Sequence, residues 1–140
     1  GKTAEGEKRL QESERLQAEA VEDERRQRTA ATLALQAEVR MTEGDYAGAI
    51  DLWRQIATAR GDSAQTQLRL ADALAAAKRF SEAAAAYQTA ISLNATAEAH
   101  RRLADLFDAL GRREDGARER ARYVEKQLKE LEQRAAGGIR

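Results

Sequence analysis

His100 is the only histidine in the chain, and there is no cysteine to join it. A zinc or haem site needs several convergent ligands, so a lone imidazole among helix-forming residues reads as an ordinary helix position. Asp105 and Asp108 lie close enough to share a helix face, and paired carboxylates can do acid–base work. Acids on an otherwise charged helix are more simply a solvated face. No glycine-rich phosphate loop, nucleophile elbow or paired-histidine motif is present. The absence of cysteine also excludes disulfides and thiolate metal sites. These residues point away from catalysis, so the expectation is a non-enzymatic protein without metal or cofactor.

The remaining residue types belong to helices. Ala, Glu, Arg, Leu and Gln dominate the 140 residues and proline is absent, so nothing forces a helix to break. The hydrophobic fraction is 42% but only 4% is aromatic, so the core must come from close helix packing around alanine. Twenty-four basic residues balance twenty-four acidic ones. That interleaved neutrality lacks the basic footprint of nucleic-acid binding. No stretch approaches the eighteen apolar residues of a membrane span and no secretory signal opens the chain, so no direct membrane contact is expected. The Gly1-Lys2 opening without methionine reads as an excised fragment. The compartment is left unassigned, with cytoplasm the default and a periplasmic or membrane-anchored full-length protein the alternative. The Ala- and Arg-rich character hints at a GC-rich bacterial gene.

Three regions follow one another. Residues 1–29 form a charged helical lead-in, with fifteen charged side chains and only Leu10, Leu16 and Val21 as large apolar groups. Acid-first pairs such as Glu5–Arg9 and Glu22–Arg26 support a helix at i,i+4, while the apolar spacing fits no sustained heptad. Residues 30–111 carry an internal repeat. Gly44-Asp45-Tyr46 recurs 34 residues later as Lys78-Arg79-Phe80, and Ala37, Ala49, Trp53 and Ile56 map onto Ala71, Ala83, Tyr87 and Ala90. A third copy follows at a spacing of 33, with Ala104, Phe107 and Gly111. A fixed period of this size means a stack of helix–turn–helix units.

The expected helices run near 8–42, 46–59, 64–77, 81–93, 97–110 and 113–134. Gly44 ends the first in a left-handed conformation, Asp45 caps the second, Ser63 caps the third and Asn94 ends the fourth. A break is expected at Gly61-Asp62. In the last region, residues 112–136, Ala117, Ala121, Val124, Leu128, Leu131 and Ala135 follow at spacings of 4, 3, 4, 3 and 4. We expect this stripe to cap the third unit, with pairing between chains as the alternative, and Gly137-Gly138 to end the helix before a tail at 137–140.

This pattern resembles the tetratricopeptide repeat, carried by the alanines at 37, 71 and 104, the Gly-Asp-Tyr-x-x-Ala-Ile run at 44–50, and Trp53 or Tyr87. The units fall at 30–63, 64–96 and 97–111. The resemblance implies an all-α fold, a right-handed superhelix of two sound repeats and one degenerate, capping repeat. The proline that usually closes a unit is missing, with Gly61 and Ala95 in its place. Gly116 and Arg120 stand where the third unit should have an alanine and a large aromatic.

The resemblance also implies a concave groove lined by the first helix of each unit. Its positions here are Ala31, Ala34, Glu38, Met41 and Thr42, then Gln65, Leu68, Asp72, Ala75 and Ala76, then Glu98, Arg101, Asp105, Asp108 and Ala109. Glu38, Asp72 and Asp105 would form a carboxylate ladder spanning on the order of 20 Å at roughly 8–10 Å per helix. The clamp with which some family members hold a C-terminal carboxylate would find repelling acids here. An acidic groove with alanine floors better suits a basic or amphipathic peptide or helix of a protein partner, unless Arg69, Arg101 and Arg102 offset the acids. The expected function is thus an adaptor or scaffold. The alternatives are a homo-oligomer built through the terminal helices, or an accessory domain of a larger anchored protein or enzyme.

Overall fold

The computed structural model describes residues 1–60 and 63–138, and these are helical almost throughout. The elements are α1 (Lys2–Glu43), α2 (Tyr46–Arg60), α3 (Ala64–Ala76), α4 (Phe80–Ser92), α5 (Ala97–Ala109) and α6 (Arg113–Gly138). The Gly61-Asp62 break and the final two residues of the expected tail lie outside the described residues. Each helix packs mainly on its sequence neighbours, as a stack of hairpins requires.

The repeated turns are built as their residues dictate. Gly44 takes φ +79° and its N–H bonds back to Met41, closing α1. One period on, Lys78 takes the same left-handed conformation at φ +62°, and Gly111 follows at φ +74°. Asp45 caps α2 by accepting from the Gly48 N–H at 3.0 Å, and Ser63 caps α3 by accepting from Thr66 N–H at 3.1 Å. Asn94, at φ +69°, turns the chain out of α4.

Alanine lets the helices approach. Ala37, Ala49, Ala71, Ala73, Ala83, Ala90, Ala99 and Ala104 are fully buried, with Trp53, Tyr87, Leu103 and Phe107 filling the volume between them. Gly116 serves the same end in α6: a Cβ there would lie 3.2 Å from the Ala104 carbonyl and 2.4 Å from Asp108 Oδ1.

Of the terminal helices, the first follows expectation and the last departs from it. The lead-in and the first repeat helix form one uninterrupted α1, and every side chain before Ala30 is exposed except the half-buried Glu22. The α6 stripe does not cap the third unit: Val124, Leu128 and Leu131 are exposed. The helix instead docks on α5 through Gly116, Glu119, Tyr123, Lys126 and Glu130, the face nearly opposite the stripe. Polar bonds hold it there. His100 Nδ1 lies 2.8 Å from Glu119 Oε2, and Glu130 Oε1 accepts from the Ala97 N–H at 3.0 Å, capping α5 from another helix. Gly137 and Gly138 do not stop α6, which runs through both.

Candidate partner-binding groove

Successive first helices are stitched side by side by ion pairs. Glu38 on α1 faces Arg69 on α3 at 3.8 Å. Asp72 on α3 is bound by Arg102 on α5, and Asp105 on α5 meets Arg101 at 3.6 Å and Arg120 of α6 at 3.5 Å. The carboxylate ladder therefore exists as a geometric series, but each rung is matched by a guanidinium. It is not a bare negative surface. Arg69 and Arg102 recur 33 residues apart, in phase with the repeat, which is the sequence signal for this compensation.

The rungs are not chemically alike. Asp72 is half-buried, and the Tyr87 hydroxyl donates to its Oδ1 at 2.7 Å. Burial pushes its carboxyl above the usual aspartate range, although the Tyr87 bond and the Arg102 charge pull the other way. Burial and the Asp72 bond together push the Tyr87 phenol up. Asp72 is thus committed to positioning its own neighbours. Glu38 and Asp105 are exposed and loosely paired, so they remain able to exchange partners. Asp108 is held by Arg120, and that bond keeps its carboxyl below the ordinary range. The hydrogen bond from Arg101 does the same for Glu98.

The other expected groove residues divide in the same way. Ala31, Ala34, Glu38 and Gln65 line an open groove of about 790 Å³ between α1 and α3, with Ala30, Leu35, Trp53, Ile56, Ser63, Thr66 and Arg69. Met41 is half-buried against the core, and Leu68 is buried within it. Leu68 supports the groove from below and is not part of its surface. Arg101, Asp105 and Asp108 lie exposed at the α5–α6 end, beyond that cavity. His100 is buried against Glu119, and among the described residues no cluster of His, Cys, Asp and Glu could hold a metal ion.

The tetratricopeptide repeat profile matches residues 40–106, across the turns and alanines that define this stack. Those residues match the tetratricopeptide repeat, and the all-helical stack is of that fold. Among solved structures it is similar to MamA, with 22% identity and a TM-score of 0.65 over 71% of this chain and 58% of that one. A MamA structure designated MSR-1 gives 20% identity and a TM-score of 0.65, covering 72% and 59% of the two chains. MamA from Desulfovibrio magneticus RS-1 gives 15% and 0.65, covering 69% and 55%. Identities this low speak for a common fold alone, and the chain spans less than two thirds of each of these relatives. A comparison with curated proteins gave no match.

Proposed function

We propose that this chain is a non-catalytic protein–protein interaction module that receives a peptide or helix of a partner protein against its first helices. The α1–α3 groove carries this reading. It has a floor of Ala30, Ala34, Trp53 and Ile56 and a rim of opposite charges, Glu38 and Arg69. Alanine floors leave room for the partner's apolar side chains, which supply most of the affinity. A basic group on the partner is drawn to Glu38, displacing Arg69, whose 3.8 Å separation marks a weak exposed pair.

The amphipathic character of the partner therefore matters more than its net charge. Because the rungs are compensated, steering by the whole ladder is weaker than three free carboxylates would give. A photo-crosslinking residue in place of Ala34 tests the groove, with the same residue in place of the exposed Gln88 of α4 as control. Position 34 should label one partner that position 88 does not, and Glu38→Lys should reduce the labelling. Equal labelling at both positions, or labelling at 88 alone, would place the binding surface elsewhere.

A further inference from the structure

We propose that α6 is a dimerisation helix, which pairs in parallel with α6 of a second copy of this chain. The stripe is long and unpartnered: Val124, Leu128 and Leu131 are 52%, 56% and 53% exposed, although the helix is firmly seated on α5. Its spacing is that of a coiled-coil seam, with Ala117, Val124 and Leu131 at d and Ala121, Leu128 and Ala135 at a. The seam lies nearly opposite the face that α5 occupies, so two copies can meet along it with their repeat stacks on the outside.

A further repeat is the rival occupant, and the residues argue against it. Trp53 and Tyr87 are the buried aromatics of the first two second helices, and the same position of α6 is Arg120. Arg120 is exposed and turned to Asp105 and Asp108 of α5. The aromatic present in each interior layer is thus replaced by a charge. What remains of the outer face is a heptad seam, which suits a helix lying nearly parallel to α6.

The flanking charges choose the partner and its direction. In a parallel pair, each g residue meets the e residue five positions along the other helix. That places Arg120 beside Glu125 of the second copy, and Gln127 beside Glu132. Arg120 must then share itself with Asp105 and Asp108, and Glu125 with Lys129. At the start of the seam Arg113 approaches Arg118 of the second copy, but Arg118 is already bound to Asp115 of its own helix. An antiparallel pair centred on Val124 and Leu128 would instead set Arg118 beside Glu132, but also Arg120 beside Arg134 and each Glu125 beside its own counterpart. With only three large residues and several alanines, the seam should hold a weak, concentration-dependent dimer.

The chain lacks cysteine, so orientation can be read directly. Sedimentation across the micromolar range should show the 15.5 kDa chain passing into a species of twice that mass. Leu128→Glu with Leu131→Glu should remove the dimer and leave the circular dichroism spectrum as it was, with the melting curve unchanged at concentrations where the wild type is monomeric, since both residues are exposed. Ala135→Cys should form an interchain disulfide under mild oxidation, because in a parallel pair the two positions face each other. A monomer throughout would overturn the proposal, as would a dimer indifferent to the double substitution. A dimer that dissociates as expected but fails to crosslink through position 135 would overturn the parallel arrangement. Labelling at Ala34 is read separately, so either reading can fail without the other.

Discussion

His100 shows how a residue that first suggests chemistry is absorbed by structure. Its Nδ1 lies 2.8 Å from Glu119 Oε2, both side chains are buried, and Arg122 completes the carboxylate's partners at 2.5 Å. Removing one member of such a pair leaves a buried polar group without its partner, whereas replacing both with apolar groups can cost much less. His100→Ala should therefore lower stability by about 3 kcal/mol, and His100→Leu with Glu119→Leu should lower it less than either single change. Urea unfolding of the set decides this, and a double variant as unstable as the sum of the singles would mean that the pair is uncoupled.

At Asp72 the outcome depends on pH. Burial raises its folded-state pKa above the ordinary aspartate value, so just above that value the folded chain binds more protons than the unfolded one. This single group therefore adds stability as pH falls through the window between its folded and unfolded pKa values. Asn keeps an acceptor for Tyr87 but cannot titrate. The stability of wild type relative to Asp72→Asn should accordingly rise as pH falls through that window, measured by denaturant unfolding at a series of pH values.

Among the elements, turns were legible and the last interface was not. Gly44, Asp45, Ser63 and Asn94 announce their roles because cap chemistry is local, and the conformations follow from it. The stack of alanines was legible because it recurs in phase. The α6 interface was missed because its docking face, apart from Gly116, is polar and long-chained (Glu119, Tyr123, Lys126 and Glu130) while its exposed face is apolar. Counting apolar residues assigns those two faces the wrong way round. Only the identity of the helix beneath, with His100 and the Ala97 N–H waiting for carboxylates, reverses the assignment. The groove was more legible: the alternative in which Arg69, Arg101 and Arg102 offset the acids is the one the ion pairs realise, and only the added Arg120 of α6 depended on the α6 interface. The Lys78 turn makes a prediction at this scale. It holds φ +62° without being glycine, a conformation costing an L-residue about 1–2 kcal/mol. Glycine relieves that strain but adds freedom to the unfolded chain, so Lys78→Gly should raise stability by about 0.5–1 kcal/mol net. Thermal unfolding checks it, and a lower melting temperature would show that the Lys78 side chain contributes more than its backbone costs.

For the whole molecule, packing is concentrated at one end of α1. The helix has 42 residues, yet only Ala30 and Ala37 of it are buried. At 1.5 Å per residue the lead-in before Ala30 extends about 40 Å from the repeats. It is held by local ion pairs, such as Arg25 with Glu22 at 2.6 Å and Arg28 with Glu24 at 3.1 Å. Exposed pairs of this kind stabilise a helix by only a few tenths of a kcal/mol each. The segment is helical because the docked part of α1 supplies the nucleus from which helix propagates, avoiding the costly first turn. Two consequences separate this from a lead-in packed on the repeats. Deleting residues 1–26 should leave the melting temperature of the repeats unchanged, since no side chain of the removed part is buried. Amide hydrogen exchange in the intact chain should show protection falling steadily from Ala30 toward Lys2, while Ala30–Glu43 exchanges with the stack. A truncated chain that melts earlier, or a lead-in protected as strongly as Ala37, would mean that the extended helix rests against something in solution.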